Sequence, residues 1–254
     1  MIFDSHAHYD DRKFNADRDE LLSSMHENGV DYIVNSGESL KASKAGVELG
    51  KKYDFIYSAS GIHPSNTDTM DENVLKEIKK IALMPKVVAI GEIGLDYHYD
   101  NTDKPTQKYW FSRQLELAKE LNMPVIIHSR DAAQECFDMI KKSGVRKGII
   151  HCYSGSAEMA MDYVKMGFYI GIGGVLTYSN ARKTVEVAEE VPLNRIVLET
   201  DCPYLAPVPN RGKRNDSTMI KYVAEKLAEI KNISVEQVYF VTSQNAKDVF
   251  ELKV

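Results

Sequence analysis

Pro124-Val125-Ile126-Ile127-His128 and Gly148-Ile149-Ile150-His151 share one plan. A short apolar run, rich in β-branched residues, ends abruptly on a histidine. Runs this short, bounded by turn residues, read as buried strands rather than helices. Working outward, the same plan recurs at Ile2–Asp4, Tyr32–Asn35, Ile56–Ser60, Val87–Ile90, Phe168–Ile172 and Ile196–Leu198, eight runs in all. Just past them stand His6 and His8, Ser36, His63, Glu92, His128, His151, Gly174 and Asp201. The spacing is about 28 residues, close to the roughly 30 that a strand and its crossover helix require.

The intervening segments carry helical patterns. Ile220, Val223, Ala224 and Leu227 follow the i, i+3, i+4, i+7 template. Trp110, Phe111, Leu115, Ala118 and Leu121 give an apolar face that Asn122 and Pro124 terminate. Ser234-Val235-Glu236-Gln237 reads as a capping box opening the last helix. Eight strand-helix units in 254 residues predict an α/β chain, a single (β/α)8 barrel domain spanning 1–254 with its site at the C-terminal ends of the strands. A doubly wound open sheet is the alternative. It would gather ligands at one switch point near two strand ends, not at most of them.

Composition narrows the function classes. With 43% hydrophobic and 27% charged residues the chain is of ordinary globular type, and its length buries a sizeable core without staples. A net charge of -5 excludes a protein that coats nucleic acid by bulk electrostatics, though not an enzyme that grips phosphates locally. The three cysteines, Cys136, Cys152 and Cys202, are odd in number and far apart, so they read as packing thiols of a reducing compartment. Soft ligation of zinc by Cys202 is the alternative for that residue. The opening residues lack a basic region followed by an apolar stretch, and no apolar run is long enough to span a bilayer. The expectation is therefore a soluble, cytoplasmic protein with no membrane and no stable protein partner. The Asn232-Ile233-Ser234 sequon is then a chance match.

The chemistry lies past the strands. In Asp4-Ser5-His6-Ala7-His8 the two histidines sit at i and i+2, which a strand points to one face. Alone, this pair could equally be two surface histidines. Glu92, His128, His151 and Asp201 decide the reading, because a parallel barrel brings all its strand ends to one mouth. Burying such groups without partners costs several kcal/mol each, so they need hydrogen bonds or a metal. Four imidazoles and two carboxylates suit Zn, Mn or Ni, or Mg where carboxylates and water dominate. Six donors exceed one tetrahedral ion, so two divalent ions are expected, with Glu92 suited to bridge them.

Other rim residues are candidates for substrate contact. His63, before Pro64, is assigned to a substrate phosphate rather than to packing against its neighbour. Arg130 is placed either to contact an anion or to pair with Asp131 or Glu135. Tyr97 and His98 could stack on a base, but loop aromatics more often pack on their own loop. The run Arg211-Gly212-Lys213-Arg214 would ordinarily be a solvated charge cluster; beside Asp201 it can meet a phosphate backbone. Glu199, two residues before Asp201, is expected to face the interior and pair with a histidine or lysine.

At these residues the chain resembles the TatD family of metal-dependent deoxyribonucleases, within the amidohydrolase superfamily. The resemblance covers the whole chain. It is carried by Asp4-Ser5-His6-Ala7-His8, Gly61-Ile62-His63-Pro64, Gly91-Glu92-Ile93-Gly94-Leu95-Asp96-Tyr97, His128-Ser129-Arg130, His151-Cys152-Tyr153-Ser154-Gly155, Glu199-Thr200-Asp201-Cys202-Pro203-Tyr204-Leu205 and Arg211-Gly212-Lys213-Arg214-Asn215. It implies a TIM barrel and dependence on Mg, Mn or Zn. It implies that His6, His8, Glu92 and Asp201 hold one ion and Glu92, His128 and His151 the second. It also implies hydrolysis of DNA phosphodiesters, often from the 3′ end. The chain departs from the family at Tyr153, often phenylalanine, and at Ser217, often proline, which bears on how the basic loop is held. Glu92 stands where lysine-bridged amidohydrolases carry a carboxylated lysine.

Three functions follow as expectations. The first is a two-metal 3′–5′ exodeoxyribonuclease in which Glu92 and Asp201 are catalytic, Asp201 orienting a water and accepting its proton, with His63, Arg130 and Arg211 on a transiently bound DNA. The second is a metal-dependent esterase such as a D-aminoacyl-tRNA deacylase. The third, a non-enzymatic binding scaffold, would be marked by lost ligands, and all six are present.

Overall fold

The eight apolar runs become eight strands. They are β1 (Ile2–Ala7), β2 (Val30–Asn35), β3 (Ile56–Ser60), β4 (Val87–Asp96), β5 (Val125–Arg130), β6 (Gly148–Ile150), β7 (Tyr169–Ile172) and β8 (Ile196–Leu198). This computed structural model describes residues 1–98 and 102–254. Every pair is parallel and the sheet order follows the sequence, which excludes the doubly wound alternative. The seam is closed beyond β8, where Ala7 bridges Cys202, His8 N–H donates to Cys202 O at 2.8 Å and Asp201 N–H donates to His6 O at 3.0 Å. The result is the expected (β/α)8 barrel, nearly closed.

Among the described residues the helices are α1 (Arg18–Ser23), α2 (Leu40–Lys52), α3 (Glu72–Ala82), α4 (Lys104–Leu121), α5 (Ala133–Ser143), α6 (Ala157–Lys165), α7 (Arg182–Glu190), α8 (Ile220–Lys231) and α9 (Val235–Val249). Their ends obey local chemistry. The Asp103 side chain caps α4 by accepting from Thr106 N–H at 3.0 Å, and the helix stops on Asn122 in a left-handed conformation that asparagine tolerates. Ser234 caps α9 through Gln237 N–H at 3.1 Å. No described helix is long and apolar enough to cross a membrane.

Strand alternation divides the apolar residues into two layers. Phe3, Val34, Ala59, Ala89, Ile126, Ile149 and Val197 fill the barrel interior, and Ala246, Val249 and Phe250 at the end of α9 pack beneath them. Ile33, Ile56, Ile90, Ile127, Ile150 and Ile196 face outward onto the helices. Each such side chain removed from water stabilises the fold by roughly 1.5–3 kcal/mol.

Three strands run further than expected. Pairing continues through Ala7–Asn35 on β1, and through Gly94–His128 and Asp96–Arg130 on β4 and β5. His6, Glu92 and His128 therefore lie inside strands, not after them. Polar residues had marked strand ends in the sequence, but here their backbones still complete the ladder around the mouth.

The register is also irregular where the chemistry begins. From interior Ala89, strict alternation would turn Glu92 outward. A shift between Ile90 and Ile93 re-phases β4, so Ile93 and Leu95 join the outer layer while Glu92 turns to the mouth. A second shift, between Asp4 and Ala7, does the same for His6. Bulges of this kind commonly re-aim side chains beside active sites. Gly94 shows how tight the re-phased strand is. Its φ is +151°, and a Cβ there would lie 1.9 Å from the His128 carbonyl oxygen.

Candidate metal centre

The mouth gathers all six expected donors around Glu92, which is only 4% exposed. His6 Nε2 lies 3.0 Å from His8 Nε2, 3.4 Å from Glu92 Oε2 and 3.7 Å from Asp201 Oδ1. His8 Nε2 lies 3.7 Å from Glu92 Oε2 and 3.4 Å from Asp201 Oδ1. Four donors held about 2.1 Å from one tetrahedral ion are about 3.4 Å apart, so this set fits one ion. The other carboxylate oxygen, Glu92 Oε1, meets a different set: His128 Nδ1 at 2.8 Å, His151 Nε2 at 3.6 Å and His63 Nε2 at 3.9 Å. One carboxylate thus divides two groups of donors.

The imidazoles are held from behind. Ser36 serves both histidines of β1, its hydroxyl 3.1 Å from His6 Nδ1 and its carbonyl oxygen 3.2 Å from His8 Nδ1. Asp96 Oδ2 lies 3.0 Å from His128 Nε2, and Glu199 Oε1 lies 3.1 Å from His151 Nδ1. His6, His8 and His128 each have one nitrogen hydrogen-bonded from behind and the other aimed at the centre, while His151 Nδ1 faces Glu199 in an ion pair that lacks hydrogen-bond alignment. This is the arrangement of metal-binding histidines, whose second nitrogen sets tautomer and orientation. Glu199 pairs with a histidine, as its spacing implied. Asp96 and Ser36 had been given no role. The signal for Asp96 was its even spacing from Glu92, concealed by reading β4 as ending at Ile90. We expect Asp96→Asn to weaken binding of Mn²⁺ about 10–100-fold, measured by calorimetric titration of metal-free protein.

Beneath the centre, buried Asp4 ties β1 to the loop after β8. Its Oδ2 accepts from Thr200 Oγ1 and Ser217 Oγ, both at 2.6 Å, and its Oδ1 from Thr200 N–H at 3.0 Å. Ser217 also lies 2.8 Å from the Tyr9 hydroxyl. The departure from proline thus supplies a buried hydroxyl that helps fix the basic loop.

Charge alternates across the metal-free centre. Burial alone would raise the Glu92 carboxyl, but His6, His151, His63 and the hydrogen bond from His128 hold it well below the usual range. Burial would lower His8, yet Asp201 and Glu92 push it up to about 10. Burial likewise opposes His151, and Glu199 and Glu92 raise it to about 9. Burial opposes His128 as well, but its hydrogen bonds to Asp96 and Glu92 raise it, so a cation must displace protons from three rings. Apparent affinity is therefore expected to rise with pH from 7 toward 9, with release of about two to three protons per chain loaded. Calorimetry in buffers of different ionisation enthalpy measures that release.

The rim residues separate. His63 Nδ1 accepts from Ser65 N–H at 3.1 Å, and burial with neighbouring His128 lowers the ring to about 3, so it is neutral with its proton on Nε2. Arg211 is exposed, its guanidinium 4.4 Å from the Tyr178 ring centre, with no carboxylate in ion-pair range among the described residues. Arg214 is instead spent on Asp17 at 2.6 Å. Arg130 is exposed at the end of β5, and its charge reaches the Cys152 thiol. Tyr97 packs locally, bonded to Glu135 with Lys104 Nζ 4.3 Å from its ring centre.

Cys136 and Cys202 are buried, matching their reading as packing residues. Cys152 does not match. Also read as a packing thiol, it is only partly buried: β6 ends at Ile150, and the residue, with a φ of +43°, lies partly exposed beside Glu199.

Comparison with known proteins agrees with this architecture. A family model described as TatD related DNase matches residues 3–251. The metal-dependent hydrolase YabD of Bacillus subtilis is 43% identical over 99% of this chain and 100% of its own length. The metal-dependent hydrolase YcfH of Escherichia coli K12 is 34% identical over 99% of this chain and 96% of its own. The crystal structure of YJJV, a TatD homologue from Escherichia coli K12, superposes with a TM-score of 0.93 at 30% identity, covering 99% of this chain and 98% of that one.

Proposed function

Because the chain belongs to the TatD family and is a metal-dependent hydrolase, we propose that it cleaves DNA phosphodiester bonds from the 3′ end, using two divalent ions, Mg, Mn or Zn. One observation carries the two-ion reading: the two oxygens of Glu92 face different donor sets. His6, His8, Glu92 and Asp201 would hold one ion, and Glu92, His128 and His151 the other. When bound, the ions lower the pKa of a water toward roughly 7 and offset charge developing on the phosphate.

The protein's own groups do the rest. Asp201 is the most open of the inner carboxylates, at 19% side-chain exposure against 5% for Glu92. Burial would raise it, but His8, His151 and His6 keep it ionised at neutral pH. It orients the attacking water and takes its proton as the new O–P bond forms and the P–O3′ bond breaks. That proton is then available to the leaving 3′ oxygen. His63, neutral and donating from Nε2, hydrogen-bonds a phosphate oxygen, while Arg211 and Arg130 offer cations to the strand. The DNA is a transient partner, and we place the reaction in the cytoplasm, where the free thiols stay reduced.

The test is incubation of purified, metal-free protein with 3′-labelled DNA, adding Mg²⁺, Mn²⁺ or Zn²⁺ in turn. Labelled mononucleotide should appear only when an ion is supplied. No nucleotide release with any ion, alongside amino-acid release from a D-aminoacyl-tRNA, would replace this reading by ester hydrolysis.

A further inference from the structure

We propose that Cys152 Sγ, His151 Nδ1 and the Glu199 carboxylate form a separate site for a thiophilic divalent cation such as Zn²⁺ or Cd²⁺, and that filling it switches the centre off. One ligand atom from each of the three residues lies within 4.8 Å of the other two. This is the sulfur-containing group among the metal-competent clusters of the described residues; the remainder offer only nitrogen and oxygen.

The polar atoms here are unsatisfied. His151 is 5% exposed and Glu199 is fully buried, yet His151 Nδ1 and Glu199 Oε2 lack hydrogen-bond partners. His151 Nδ1 is 3.1 Å from Glu199 Oε1, a contact of ion-pair length without hydrogen-bond alignment. Buried polar atoms in this state are costly and call for an explanation such as an ion. Cys152 supplies the remaining donor and the route in. The residue is partly exposed, with a φ of +43°, and its N–H donates to Glu199 Oε1 at 2.6 Å, placing the carboxylate beside the thiol.

The donor set determines which ions enter. Thiolate, imidazole and carboxylate suit zinc and its soft relatives, whereas Mg²⁺ and Mn²⁺ prefer oxygen. A hard ion in the catalytic centre and a soft ion here are thus sorted by chemistry. On binding, the Cys152 thiol proton and any proton on His151 Nδ1 leave to solvent. His151 connects the two sites, because its Nε2 faces Glu92 Oε1 at 3.6 Å. Drawing Nδ1 onto a cation breaks its pairing with Glu199 and re-aims the ring. The inhibitory half of this proposal rests on the hydrolase reading above; the binding half does not.

The test titrates Cd²⁺ into metal-free wild-type protein, Cys152→Ser and Cys152→Ala, following thiolate-to-cadmium charge-transfer absorption in the ultraviolet. Wild type should develop the band and both variants should lack it, since Cys136 and Cys202 are buried. In parallel, Zn²⁺ is added to Mn²⁺-loaded protein during hydrolysis; the variants should need at least about tenfold more Zn²⁺ for half-inhibition, corresponding to 1.4 kcal/mol of lost binding. Equal bands in wild type and variants would overturn the site. A band that disappears with inhibition unchanged would overturn the switch. If no substrate is hydrolysed under any condition, the proposed function fails, while the absorption titration still decides the site.

Discussion

Glu92→Ala protein is expected to lose hydrolytic rate by roughly 10³-fold or more and to retain at most one divalent ion per chain. Both effects have one cause. The carboxylate places Oε2 against His6 and His8 and Oε1 against His128 and His151. Asp201 also reaches across, lying 3.4 Å from His8 and 3.9 Å from His151, but it does so with one oxygen, Oδ1, whereas Glu92 gives each group its own oxygen. Alanine leaves four imidazoles around an empty position, with only Asp201, Asp96 and Glu199 at its edge to offset their charge when protonated. The barrel itself should persist, because its apolar interior layer lies below Glu92 and does not depend on it. The checks are kcat/KM with saturating Mn²⁺, metal content by mass spectrometry and a thermal melt. Two ions per chain together with an unchanged rate would dismiss the bridging role.

Asp201→Asn should behave differently, lowering kcat by about 10²–10⁴-fold while KM and metal content change little. The substitution is gentle by design. Asp201 has a φ of +57°, which asparagine adopts readily, and its backbone N–H remains bonded to His6 O. The amide oxygen can still face His8. What disappears is a group able to take a proton, and with it the ionised carboxylate that His8, His151 and His6 stabilise. Steady-state rates with Mn²⁺ on labelled DNA separate the two parameters. A variant with wild-type kcat would make Asp201 a ligand and nothing more.

These residues also show what a sequence makes visible. His128 and His151 could be placed because β5 and β6 are regular: Ile126 and Ile149 face the interior, so the residues two further on do too. Glu92 and His6 were identifiable by residue type, yet strict alternation from Ala89 or Phe3 would have turned them outward. The register shifts that bring them in leave no mark in composition. Asp96 was overlooked because polarity was equated with the end of a strand. Cys152 is less buried than a packing thiol, because a left-handed residue after a three-residue strand cannot be anticipated from periodicity. Within the basic run, only three-dimensional contacts show that Arg214 is neutralised by Asp17 while Arg211 is not.

The packing of α9 under the barrel carries one more implication. Phe250 lies 6.1 Å from Phe3, ring centre to ring centre, and joins Val249 and Ala246 against the interior residues of the strands. The barrel is therefore a cup with a sealed base, not a ring. A polynucleotide cannot be threaded through it or encircled by it, so under the proposed function spent nucleotide would leave by the same mouth that admits the next strand end. If the chain carries out the proposed reaction, it has no closed ring to hold its substrate between cuts. Its digestion should be distributive, and free mononucleotide should compete with the substrate for the one doorway.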